Sequence, residues 1–104
     1  MSACNDESVM LVLMATAAAL DIPLRSLIST LRRQDLVRAR HIAMWLARQR
    51  YGVSLPNIGR TINRDHTTVL HGIRRAQKLM TEDRDFQRDL AEVIAYLDAP
   101  EAAQ

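Results

Sequence analysis

The sequence predicts an all-α fold of about six helices, on three observations. Ala, Leu and Arg are abundant, while Gly and Pro number three each in 104 residues, a balance that favours helix over strand. Apolar residues recur at helical rather than alternating spacing. Ser or Asp stands ahead of the periodic segments and Gly or Pro behind them, as helix starts and stops require. A chain of this length buries roughly 65% of its extended surface, which supports one core and hence one domain.

Each element has its own justification. Residues 1–7 are small and polar and are expected to be disordered. A first helix is expected from about Ser8, as N-cap, to Leu20. Asp21-Ile22-Pro23 breaks it, and Pro23 opens a short second helix to about Ser29. Thr30 to Gln34 reads as an exposed basic loop. Asp35 is the expected cap of a third helix, which carries the densest apolar set and ends at Tyr51 before Gly52. Ser54 caps a short fourth helix, with Pro56 in its first turn and its end near Ile62. Asn63-Arg64 makes a tight connection. Asp65 caps a fifth helix to about Met80, and Thr81 is expected to start the last. Phe86, Leu90, Val93, Ile94 and Leu97 give that helix one apolar face, and residues 99–104 read as a frayed tail. The domain therefore spans 8–98.

Composition excludes several functions. With Cys4 as its single cysteine, the chain has neither a disulfide framework nor a thiolate metal site. The apolar run from Val9 to Leu20 is too short to span a bilayer. Asp6 and Glu7 stand ahead of it, where a secretory signal needs positive charge, so a cytoplasmic location is expected, with no membrane partner. Four aromatic residues are too few for a surface that stacks single-stranded bases. His66 and His71 are five apart, the wrong spacing for a metal pair on one helix face. No nucleophile belongs to a recognisable arrangement, and no G-x-x-x-x-G-K-[ST] motif occurs. We expect neither an enzyme nor a cofactor, metal or small-molecule substrate.

The charge is unevenly placed. The net +2 of the whole chain conceals a +10 segment between Leu24 and Lys78, flanked by residues 1–23 at −3 and 79–104 at −5. Such asymmetry points to a polyanion.

Residues 54–80 form the outline of a helix-turn-helix, whose second helix enters the DNA major groove. At 100° per residue, Val69, Ile73, Ala76 and Met80 gather within about 60° of arc as a buried stripe. Thr67, Thr68, His71, Arg74, Arg75 and Lys78 collect on the opposite arc with no acid among them. An ordinary solvated face mixes signs through i, i+4 pairs; this one does not, which favours DNA. At the start of the helix, Asp65 suits both an N-cap and an acceptor from cytosine N4. His66 falls about 60° from Val69, on the side of a half-buried histidine.

The run Arg64-Asp65-His66-Thr67-Thr68-Val69-Leu70-His71 resembles the signature of the C-terminal DNA-binding domain of the bacterial replication initiator DnaA. Arg38 to Arg48 and Ser54 to Gly59 resemble that family's preceding helix and helix start, and order and spacing agree from about Pro23 to Arg75. The resemblance implies a Trp-repressor-like helix-turn-helix standing alone, with base contacts in the major groove from Asp65, His66 and Thr67. It implies a minor-groove contact from Arg32, with Arg33 as neighbouring substitute, where an A·T-rich groove concentrates negative potential. It implies phosphate contacts from Arg40, His41, Arg48, Leu55, Pro56, Thr68, His71 and Arg75; further backbone contacts are expected from Arg64, Arg74 and Lys78.

The chain departs from the family in the turn before Arg64, where Ile62-Asn63 replaces a Gly-Gly pair and is one residue shorter, and in Ala39, where proline is common. The shortened turn leaves the DNA sequence open. The leading expectation is a nucleoid-associated, sequence-specific double-stranded DNA binder that recognises DnaA-box-like sites and regulates replication initiation or transcription without ATPase activity. The alternatives are a transcription factor with an unrelated target, and a protein-interaction module that binds the initiator or a second copy of itself.

Overall fold

The structure is a computed structural model and describes residues 4–99. Six helices follow one another: α1 (Cys4–Leu20), α2 (Leu24–Ile28), α3 (Gln34–Tyr51), α4 (Leu55–Ile62), α5 (His66–Glu82) and α6 (Arg84–Asp98). Among the described residues there is no strand. The all-α expectation holds, element for element.

Helix α3 packs against α1 on one side and α5 on the other; α1 also packs on α6 and α4, and α4 on α5. One core joins them all: Val12 and Leu13 of α1, Leu27 of α2, Leu36 and Ile42 of α3, Ile58 and Ile62 of α4, Val69 of α5, Phe86 and Val93 of α6. Thr16, the buried hydroxyl in α1, donates to the Val12 carbonyl at 2.8 Å, so it enters the core without an unmet polar group. No described helix is long and apolar enough to cross a membrane.

Three boundaries differ from the sequence reading. Helix α1 starts at Cys4, so residues 4–7 are helical and Ser8 lies within the helix; Asp6 and Glu7 fall in its first turn, where the helix dipole favours acids. Residues 1–3 of the expected disordered start, and 100–104 of the expected tail, lie outside the described residues. Helix α3 starts at Gln34, with extended Arg33 at the cap position and Asp35 inside the first turn. The Asp35 carboxylate accepts from the Leu36 amide at 2.8 Å and pairs with Arg33. Finally, α5 runs on to Glu82, and Asp83 rather than Thr81 caps α6, accepting from the Phe86 amide at 3.1 Å. Thr81 instead donates its hydroxyl back to the Lys78 carbonyl, which keeps it inside the preceding helix.

Gly52 and Ser54 act as read: Gly52 ends α3 at φ +64°, and Ser54 accepts from the Asn57 amide. Two other glycines matter for close approach. A Cβ on Gly72 of α5 would meet the end of the Met44 side chain and crowd His41, so Gly72 marks where α5 lies close against α3. A Cβ on Gly59 of α4 would run into the Arg64 carbonyl oxygen.

Candidate nucleic-acid interface

The turn between α4 and α5 is compressed into Asn63, Arg64 and Asp65. Asn63 takes the left-handed conformation at φ 64°, ψ 47°, which Asn tolerates better than most residues. The Arg64 amide then donates to the Gly59 carbonyl at 2.8 Å. The shortened turn therefore closes with one left-handed residue, and the bare Gly59 leaves room for the returning chain.

Asp65 is the N-cap of α5 and accepts from the Thr68 amide at 2.8 Å. That bond, foremost, holds its carboxyl below the usual carboxylate range, although the side chain stands in solvent. His66, Thr67 and Thr68 are all exposed. Helical periodicity puts His66 near the buried side. At the first helical position no preceding turn covers it, so periodicity misplaces it. Farther along, Val69, Gly72, Ile73 and Ala76 are buried, Met80 is half-buried, and His71, Arg74, Arg75 and Lys78 are exposed. Among the described residues Arg74, Arg75 and Lys78 make no ion pair.

The basic loop between α2 and α3 stands beside this face. Arg32 and Arg33 are both exposed. Arg33 pairs with Asp35 at 3.2 Å, whereas Arg32 makes no such pair among the described residues and borders two adjoining grooves. One groove is closed by Arg40, His41, Asn63, Arg64 and Thr68, the other by Arg38, His41, Arg75 and Asp83. The loop, α3 and the start of α5 thus meet around His41. Burial, then the Arg75 and Arg40 cations, push the imidazole pKa of His41 below its ordinary value.

Not every expected residue faces outward. Arg40 is only 5% exposed, and its guanidinium donates to the carbonyls of Leu27 (2.8 Å), Ser26 (2.9 Å) and Ser29 (3.0 Å). Expected as a phosphate contact, it sits largely inside the protein as a brace for the C-terminal end of α2, whose last carbonyls the five-residue helix cannot satisfy by its own ladder alone. Arg64, expected as a further surface contact, is half-buried and similarly engaged with backbone. Arg48 is exposed but donates to the Val53 carbonyl at 3.1 Å, across the end of α3. Exposed Pro56 and half-buried Leu55 open α4. These three residues lie outside the two grooves. The sequence reading missed Gly59, Gly72 and the bracing roles of Arg40 and Arg64; the only local signal was a glycine on the buried side of its helix.

The acidic C-terminal segment takes a separate place. Asp89 of α6 pairs with Arg38 at 3.0 Å, and Asp98 pairs with Arg50, so α6 neutralises two arginines of α3. Within α6, Arg88 lies 3.5 Å from Asp85 and 3.7 Å from Asp89. Among the described residues, no cluster of three His, Cys, Asp or Glu is placed to hold a metal ion.

Comparison with known proteins gives the family of the chain. Residues 9–76 match the family model described as bacterial dnaA protein helix-turn-helix. The chain is 46% identical over 77 residues to the chromosomal replication initiator protein DnaA of Caulobacter vibrioides, covering 73% of this chain and 16% of that protein. It is 39% identical over 88 residues to the DnaA of Thermomicrobium roseum, covering 84% and 19%. With that of Gluconobacter oxydans it shares 44% over 71 residues, covering 67% and 15%. The chain thus spans less than a fifth of the length of these relatives. It belongs to the bacterial DnaA helix-turn-helix family.

Proposed function

We propose that the chain binds double-stranded DNA at DnaA-box-like sites and regulates replication initiation or transcription at the nucleoid, with no ATPase activity of its own. The single observation that carries the reading is the exposed face of α5 from Thr67 to Lys78, which carries cations and no acid, beside Arg32, two elements that suit a major groove and the adjoining minor groove. In this reading Asp65, His66 and Thr67 approach base edges and Arg32 enters the minor groove, with Arg33 beside it. His41, Arg48, Leu55, Pro56, Thr68, His71 and Arg75 meet phosphates, supported by Arg74 and Lys78. Such contacts position the protein, while the base contacts specify the sequence. Arg40 reaches the backbone only from within the groove that it braces.

Selection from random duplex DNA, followed by titration of the selected and a scrambled duplex, tests the reading. A DnaA-box-like sequence should emerge; a different sequence would assign the chain an unrelated target, and no enrichment would remove DNA specificity altogether. Thr67→Ala should cost about 1–3 kcal/mol at one base pair and relax selection there. Exposed Leu11 and Met14, three residues apart on α1, favour a protein partner in addition. Sedimentation of the chain alone, then with the initiator, tells a second copy from a heterologous complex.

A further inference from the structure

The two elements that would read DNA are 35 residues apart in the chain, yet one side chain joins them. Arg64 Nη2 donates to the Ser29 carbonyl at 2.7 Å, and Nη1 donates to the carbonyls of Ile62 and Asn63 at 3.2 and 3.1 Å. The same Ser29 carbonyl accepts from Arg40. Ser29 is the C-cap of α2 and the anchor of the basic loop: its hydroxyl donates to the Ser26 carbonyl and accepts from the Leu31 amide. Arg32 follows three residues later, so its Cα cannot stray more than roughly 10 Å from that anchor. At the other end, Arg64 directly precedes the Asp65 cap, and its amide is bonded to Gly59. The guanidinium therefore spans from the start of the recognition helix to the root of the minor-groove loop.

Building on the DNA-binding reading, we propose that Arg64 is a positioning residue for sequence readout: by bridging the Asn63 turn to Ser29 it holds Arg32 in register with the first turn of α5. A planar, forked guanidinium suits this task because it donates in two directions at once, and lysine, a single point charge, cannot reproduce the span. The groove it closes also holds Arg32, Arg40, His41 and Thr68, and no carboxylate is among its lining residues, so no competing acid draws Arg64 away from the two backbone anchors. The turn holds a single left-handed residue, Asn63, and the bridge fastens its carbonyl and that of Ile62 to the basic loop.

Two measurements on Arg64→Gln and Arg64→Lys test the proposal. The first needs no DNA. Amide hydrogen exchange at Leu31, Arg32 and Arg33 should quicken in both variants while the amides of α1 and α3 stay protected; unchanged exchange in the loop would overturn the bridge. The second compares the selected duplex with one carrying 2,6-diaminopurine for adenine, which adds an amino group in the minor groove and leaves adenine's major-groove edge intact. The wild-type chain should lose about tenfold in affinity on that exchange, and Arg32→Ala should abolish the loss. Both Arg64 variants should lose most of this sensitivity, and Arg64→Gln combined with Arg32→Ala should be weaker than Arg32→Ala alone by less than about twofold. Equal losses on both duplexes, multiplying with Arg32→Ala, would make Arg64 a plain phosphate contact and overturn the proposal. Wild-type protein indifferent to sequence, with the loop exchange still altered, would instead show that the bridge exists and that the DNA reading has failed, taking the readout role with it.

Discussion

Helices α5 and α6 are adjacent, amphipathic and similarly capped, each by an aspartate that accepts from the amide three residues on. They differ in what their outer faces do with charge. The cations of α5 stand in solvent without an ion pair among the described residues, whereas two of the four acids of α6, Asp89 and Asp98, turn to Arg38 and Arg50 of α3. They also seat differently: α5 comes close to α3 through Gly72, and α6 anchors through the fully buried Phe86. One helix is fastened and neutralised, while the other is fastened and left positively charged. The net charge of the basic segment therefore overstates the cations on offer, because α6 takes two and the backbone of α2 takes Arg40.

This comparison can be broken from either side. The largest effect falls on the anchor. Phe86→Ala should cost about 3–5 kcal/mol by denaturant unfolding, and the fraction that remains folded should keep its DNA affinity. Charge reversal on the other helix should do the opposite. Arg75→Glu should leave the melting temperature nearly unchanged and weaken every duplex by about a hundredfold at low salt, with a flatter salt dependence. A change in base preference instead would mean that Arg75 reads bases. The caps make a matched pair. Asp65→Ala and Asp83→Ala should both lower the melting temperature, by calorimetry, and only Asp65→Ala should also weaken and relax DNA binding. If Asp83→Ala weakened specific binding as much, the division of labour between the helices would be wrong.

The smallest effect is a pH dependence at His41. Burial and two arginines hold its folded pKa below the ordinary 6.5, so the free protein keeps it neutral near pH 7. Protonation then favours the unfolded chain: stability is full above the unfolded pKa and declines as pH falls below about 6.5 toward the folded pKa. A phosphate in the groove opposes this by favouring the charged ring, so DNA affinity should rise as pH drops from 7.5 to 6. His41→Gln should flatten both trends, measured by thermal melts and by anisotropy titration across pH.

Much of this was legible in the sequence because it depends on local chemistry. Ser54, Asp65 and Gly52 announce helix ends through their own side chains or lack of one, and the periodicity of Val69, Ile73 and Ala76 gave the buried stripe of α5 directly. What escaped depends on distant neighbours. Nothing local shows that Arg40 turns inward while Arg75 turns outward, since both are arginines on helices; the carbonyls at the end of α2, more than ten residues earlier, decide it. His66 was misplaced because periodicity assumes turns on both sides, and the first helical residue has one. Asp83 replaced Thr81 as a cap because its carboxylate, three residues ahead of Phe86, reaches the amide that the core holds in place.

The most direct test is a map of the amides that change when duplex is added, by two-dimensional nitrogen-15 NMR. The account predicts large shifts over residues 30–33, at His41 and from Arg64 to Lys78, with α6 from Arg84 to Asp98 undisturbed. Shifts centred on α6 or on the exposed face of α1, with α5 unchanged, would contradict it.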